Sequence, residues 1–189
     1  MTKRNIDPDK KIQSQTFAHF VLRVSDLKKS IAWYEAVLGM KVVHDAGNLA
    51  FFTYDDEHHR LAMVETPTAA VEHEKGTFGP PGLDHVAYTL QSIEDLLITY
   101  KRLKQVDILP VWPINHGLTT SLYYADPDGN RVEFQVENLD TKEELNAYMT
   151  SEAFAENPIG VGFDPDRLLE RFENGDPIEE LVKQGSASP

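Results

Sequence analysis

A gap-free internal repeat constrains this chain more than any other feature. Residues 19–40, HFVLRVSDLKKSIAWYEAVLGM, align with 85–106, HVAYTLQSIEDLLITYKRLKQV, at an offset of 66 (85 − 19). Each copy opens on a His, alternates apolar and polar residues, then passes a polar cap into an amphipathic helix. The caps are Ser25/Asp26 in one copy and Ser92 with Asp95 in the other; Tyr34 matches Tyr100, and Leu27 matches Ile93. Gly39 stands where a helix takes a left-handed residue to stop. A second pair follows: 49–65, LAFFTYDDEHHRLAMVE, aligns with 120–136, TSLYYADPDGNRVEFQV, at an offset of 71 (120 − 49). Asp55 then falls on Asp126, Arg60 on Arg131 and Ala62 on Glu133, and Asp126-Pro-Asp-Gly129 has the chemistry of a hairpin turn.

With strands around Lys41–His44 and Ile108–Trp112 added, each copy reads βαβββ. The expected fold class is α+β. Two βαβββ modules, about 17–67 and 83–138, form one incomplete β-barrel-like site within a 17–138 domain. An N-terminal extension, 1–16, precedes it, and an acidic helical C-terminal extension, 139–189, follows.

Charge separates the last segment from the rest. Of 31 acidic and 18 basic residues, net −13, residues 139–189 hold 12 acidic and 4 basic, net −8. That balance argues against a nucleic-acid groove and an anionic membrane surface. No apolar run approaches the ~18 residues of a membrane span, and the charged N-terminus has no signal-peptide core, so a cytoplasmic location is expected. With no cysteine there is neither disulfide nor thiolate ligand. Capping-box and Asp-Pro signals place helices near 141–150, 165–173 and 177–184, with 157–162 as an irregular connector. Phe154, Ile159, Val161, Phe163, Leu168, Leu169 and Phe172 are too apolar for a solvated tail. The extension is therefore expected to dock on the main domain or on a partner subunit of a homo-oligomer.

Strand parity selects the side chains that share a face. Phe20, Leu22 and Val24 point to the helix of the first module, as do Val86, Tyr88 and Leu90 in the second, which leaves His19 and His85 on the opposite, concave face. Val132, Phe134 and Val136 pack inward, so Glu133 joins the concave side. Two His and one carboxylate on one face, with open positions, is the facial triad suited to non-haem Fe(II); affinity alone does not select the metal. His44 and His73 have no counterpart and read as surface residues.

These residues resemble the vicinal-oxygen-chelate superfamily of paired βαβββ modules, over roughly 17–138. His19, His85 and the Glu133 of DPDGNRVEFQ stand at its usual metal positions. Glyoxalase-like members carry a Glu in both modules, but here Ala62 replaces the first, so the pattern looks like the two-His, one-Glu site of single-domain type I extradiol dioxygenases. His58-His59-Arg60-Leu61-Ala62 is similar to a stretch in which the second His is the acid–base residue. The resemblance selects His59, whereas parity with Ala62 selects His58. Tyr123 and His116 match residues that hold substrate or oxygen, and NPIGVGFDPDRLLERF in the extension also looks familiar among such enzymes. The resemblance implies Fe(II), with Mn(II) as a substitute, acting on a small aromatic diol and O2 between walls that include Phe51, Trp112, Pro113 and the extension. The alternatives are a glyoxalase- or epimerase-like catalyst, for which Glu65 is a poorly oriented second carboxylate, and a metal-free binding protein of the same fold.

Overall fold

Two capped amphipathic helices lie against two curved sheets, each built by one copy of the repeat. The computed structural model describes Ser14, residues 16–66 and residues 82–188; His73 and most of the N-terminal extension lie outside them. The first copy folds as β1 (Phe20–Val24), α1 (Leu27–Leu38), β2 (Lys41–Asp45), β3 (Leu49–Thr53) and β4 (Leu61–Glu65). The second gives β5 (His85–Thr89), α2 (Ile93–Lys104), β6 (Trp112–Asn115), β7 (Thr119–Ala125) and β8 (Arg131–Glu137). The extension adds α3 (Lys142–Met149), α4 (Glu152–Glu156), β9 (Val161–Gly162), α5 (Pro165–Glu173) and α6 (Ile178–Leu181). The sheets are open, in the orders β1-β4-β3-β2 and β5-β8-β7-β6-β9, with β1–β4 and β5–β8 parallel and the remaining pairs antiparallel.

The local signals act as their chemistry requires. The Asp26 carboxylate accepts from Lys29 N at the start of α1, and Ser92 Oγ from Asp95 N at the start of α2. Gly39 ends α1 at φ 64°. Thr141 and Glu144 form a reciprocal capping box on α3. Three boundaries differ from expectation. The strand expected at Ile108–Trp112 begins only at Trp112, because the chain leaves α2 through Asp107 at φ 59° and then meets Pro110, which cannot donate to a ladder. The last helix stops at Leu181. The connector 157–162 contains a short strand, β9, that pairs with β6.

One cluster of buried residues lies under each sheet. Val24, Leu27, Tyr34, Phe52, Leu61 and Met63 fill the first; Leu96, Leu97, Tyr100, Leu103, Leu122 and Phe134 are central to the second. The clusters interlock, since Val132 of β8 packs in the first and Val37 of α1 in the second. Arg102 of α2 donates to the Ala36 and Val37 carbonyls at the end of α1, where a cation meets the negative end of the helix.

The hairpin turn fastens the modules together. Asp126 Oδ1 accepts from Asp128 N at 2.9 Å and Asn130 N at 2.8 Å; Oδ2 accepts from Asn130 Nδ2 at 2.9 Å and from Tyr34 OH, across the module boundary, at 3.1 Å. Asp128 then accepts from Ser25 N at 3.0 Å. Symmetry of the repeat would give Tyr100 to Asp55. Instead Tyr100 OH donates to Asp166 of the extension at 2.8 Å, while Asp55 stays exposed and binds Arg60.

The extension docks on the second module. Phe163, Leu168, Leu181 and Ala187 are buried in its core cluster, where a fully buried Leu contributes about 1.5–3 kcal/mol. Asn115 Nδ2 donates to Val182 O and Gln184 Nε2 to Asn115 O. At Gly160, φ 103°, a Cβ would stand 2.2 Å from Asn115 O, so only glycine lets the chain cross β6 this closely.

Tyr34→Phe should lower stability by about 1–2 kcal/mol, leaving Asp126 one donor short. Urea unfolding would show a lower midpoint at unchanged slope; an unaltered midpoint would remove the hydroxyl from the account of how the modules are joined.

Candidate functional site

The register across the second sheet assembles a row of side chains on the face away from α2. Ala87 pairs with Glu133, Glu133 with Tyr123, and Tyr123 with Trp112, so these four share a face; Leu122 and Phe134 point into the core. His85, two residues before Ala87, belongs to the same row. Its Nε2 lies 3.1 Å from Glu133 Oε2, and its Nδ1 lies 2.8 Å from Asp84 Oδ2, while the other Asp84 oxygen, Oδ1, accepts from Arg131. Asp84 thus fixes the ring and leaves Nε2 to face the carboxylate. The signal for Asp84 is simple in retrospect: a carboxylate next to a strand-opening His.

Glu133 is 4% exposed. Burial opposes its ionisation, but hydrogen bonds from His85, Ser121 and Tyr123 outweigh that and hold its pKa below the usual carboxylate value. The same hydrogen bond to Glu133 raises the His85 pKa, against burial and with help from Asp84. Burial, with the Glu133 charge nearby, pushes the Tyr123 phenol up, so it remains a neutral donor. Tyr123 OH lies 3.2 Å from His116 Nε2, and the Trp112 ring packs on Tyr123 at 4.9 Å. His116 Nδ1 is 2.5 Å from the Ile159 carbonyl, an acceptor only, so Nδ1 carries the proton in this contact.

His19, His59 and Phe51 gather on the other sheet. The His19 and His59 rings are 4.3 Å apart, and Phe51 meets His59 edge-on at 5.1 Å. His59 is half-buried and His58 exposed, its side chain at 70%. The alternation that selects His58 does not reach it, because β4 begins at Leu61 and residues 54–60 form a bend. Burial, then the neighbouring His19 and His58, lowers the His59 pKa. His44, on the same face as Phe51, is exposed.

The sequence-selected residues thus form two half-sites. His85, Glu133, Tyr123, His116 and Trp112 belong to one; His19, His59 and Phe51 belong to the other. Pro113 pairs with Leu122 and so lies on the core side of β6, away from the Tyr123 row. Among the described residues no three His, Asp or Glu side chains lie close enough to hold a metal ion. The pair His85–Glu133 nonetheless suits a divalent cation: an imidazole nitrogen and a carboxylate oxygen face each other, where a cation would displace the proton between them, and the far nitrogen is anchored by a carboxylate. Glu65, the second carboxylate weighed for a glyoxalase-like site, instead accepts from Leu27 N at 3.0 Å and caps α1.

The extension closes one side of the second half-site. A cleft of about 440 Å³ is lined by His116, Tyr123 and Glu133 together with Leu145 and Met149 of α3 and Phe154 of α4. That volume falls in the range of small-molecule sites.

Comparison with known proteins agrees with this architecture. The model of the Glyoxalase/Bleomycin resistance protein/Dioxygenase superfamily matches residues 16–134. The chain is 44% identical to biphenyl-2,3-diol 1,2-dioxygenase 2 of Rhodococcus globerulus over 166 residues, 88% of this chain and 86% of that protein. Only 138 residues precede the extension, so this match runs into it. A lactoylglutathione lyase of Haemophilus influenzae is 31% identical over 67% of this chain and 96% of its own. In fold, a glyoxalase/dioxygenase structure from Nostoc punctiforme superposes with a TM-score of 0.56 at 16% identity, covering 68% of this chain and 97% of that one. The repeat, the paired open sheets and these matches together mean that the chain belongs to the Glyoxalase/Bleomycin resistance protein/Dioxygenase superfamily.

Proposed function

We propose that the chain is an Fe(II)-dependent extradiol dioxygenase that opens a catechol, such as 2,3-dihydroxybiphenyl, with O2 to a muconic semialdehyde-type acid. The observation that carries the reading is the His85–Glu133 pair, its carboxylate buried, with Tyr123 and His116 beside it, in a chain similar over most of its length to a biphenyl-2,3-diol 1,2-dioxygenase. The lyase-like alternative lacks its second carboxylate, since Ala62 replaces one and Glu65 is committed to a helix cap.

His85 and Glu133 would hold the metal, with His19 as the third ligand. Bound Fe(II), or Mn(II) in its place, would supply the electron transfer between diol and dioxygen that no side chain offers. The chain's own groups would do the rest. Tyr123, a neutral donor, would hydrogen-bond a substrate or dioxygen oxygen. His116, its Nδ1 proton committed to Ile159, would present Nε2 to the same region. His59 would accept a diol proton and return it as the ring opens, a task suited to an imidazole near neutral pH. Trp112 and Phe51 would flank the ring and exclude water.

A single chain does not bring His19 to the pair, and this reading accounts for that through assembly. Both helices pack on the core side of their sheets, and α2 reaches α1 through Arg102, so each half-site faces away from the shared core. A homo-oligomer in which the His19 half-site of one copy meets the His85–Glu133 half-site of another would complete the donor set. A two-fold arrangement would complete two such sites at once.

The test is anaerobic loading with Fe(II), then 2,3-dihydroxybiphenyl or catechol in air, followed by oxygen uptake and a yellow ring-fission product. No uptake with either diol, despite stoichiometric iron, would reject the reading. His85→Ala should lose the metal, read by metal analysis after gel filtration. His59→Ala should keep it and lose about 10²–10⁴-fold in turnover, the usual worth of a positioned acid–base group. If His58→Ala is the damaging change instead, the roles of the adjacent histidines are reversed.

A further inference from the structure

The wall that the extension builds has its own chemistry. On one side of the cleft stand Tyr123, Glu133 and His116, the groups assigned above to the reacting end of a diol. Facing them are Leu145, Met149, Phe154 and Pro158. The charged groups on this side cancel each other, because Lys142 Nζ binds Glu137 directly. Among the described residues lining the wall, the one lysine is therefore paired with a carboxylate rather than left to receive an anionic substituent.

The wall is also held in place. Gly117, φ 89°, leaves room for the Tyr148 ring: a Cβ there would lie 1.9 Å from the Tyr148 hydroxyl. Tyr148 packs edge-on against Phe154 at 6.1 Å, so the loop after β6, α3 and α4 fit together as one surface. Gly160 fixes the next residues against Asn115 and His116, and the Ile159 carbonyl meets His116. Met149 is 48% exposed, a large apolar side chain left open at the mouth of the cleft with no core role.

We propose that the Leu145–Met149–Phe154 wall of the C-terminal extension is a subsite for a neutral, apolar ring substituent of the diol, so that the extension makes the enzyme prefer aryl-substituted catechols over catechol itself. This rests on the dioxygenase reading of the same cleft. It assigns to the extension a selective role that the paired modules alone do not supply, since they furnish only the reacting face.

Phe154→Ala and Met149→Ala test it, with Met149→Trp as a variant that fills the subsite rather than emptying it. Two ratios are read for each purified Fe(II)-loaded protein. The first is kcat/KM for 2,3-dihydroxybiphenyl over that for catechol. The second is the ratio of their Kd values by anaerobic calorimetry, which needs no turnover. Each variant should reduce the preference for the biaryl diol about tenfold in both ratios, mainly through KM. Unchanged ratios in all three would overturn the subsite even if both diols are cleaved. If no diol is cleaved by the wild type, the dioxygenase reading fails, and the calorimetric ratio still decides the subsite. A wild-type protein that binds 3,4-dihydroxyphenylacetate as tightly as 2,3-dihydroxybiphenyl would also overturn it.

Discussion

The Asp126 carboxyl collects four donors: two backbone amides and the Asn130 side chain from its own turn, and the Tyr34 hydroxyl from the other module. Burial disfavours the charge and raises its pKa, and the hydrogen bonds oppose that shift. Losing any one donor from such a group costs stability, so it couples the shape of the β7–β8 turn to the placement of α1. The turn in turn sets where β8 begins. Glu133 enters that strand two residues after Arg131, and Arg131 binds the Asp84 that orients His85. The site geometry therefore descends from one buried carboxyl, Asp126, seven residues before Glu133 (133 − 126).

The repeat is used asymmetrically. The first copy keeps His at the start of β1 but carries Ala62 where the second carries Glu133, and its Asp55 remains at the surface. The second copy keeps the carboxylate and recruits the extension, through Asp166 to Tyr100 and through Ile159 to His116. One module thus offers imidazoles and an aromatic face, while the other offers an imidazole paired with a buried carboxylate beside a cleft that the extension walls. Neither half gathers three His, Asp or Glu side chains closely enough to hold a metal ion among the described residues. That division is what makes assembly part of the proposed chemistry.

Much of this is legible in the sequence because it is governed by short-range periodicity. Parity alone places Glu133 with Tyr123 and apart from Phe134, and cap residues place α1, α2 and α3. Parity fails where the chain is not a strand. His58 and His59 lie in a bend before β4, and packing against His19 and Phe51 turns the second toward the concave face. Pro113 is an apolar residue beside Trp112, yet it alternates to the core side, an outcome that a composition argument for a pocket wall overlooks. Ser121 and the Ile159 carbonyl act through contacts distant in sequence that have no local signature. The relation of His19 to His85 depends on how modules pack, which the repeat does not encode.

The most direct measurement is complementation between two chains, His19→Ala and Glu133→Ala, each damaged in a different half-site. Co-expressed with different tags and purified as mixed assemblies, they should regain dioxygenase activity, about a quarter of wild type in a randomly mixed two-fold dimer. Half of such dimers are hybrids, and each hybrid holds one intact site. Isolated hybrids with no activity above either parent would contradict a site completed between copies, and with it the proposed joining of His19 to the His85–Glu133 pair.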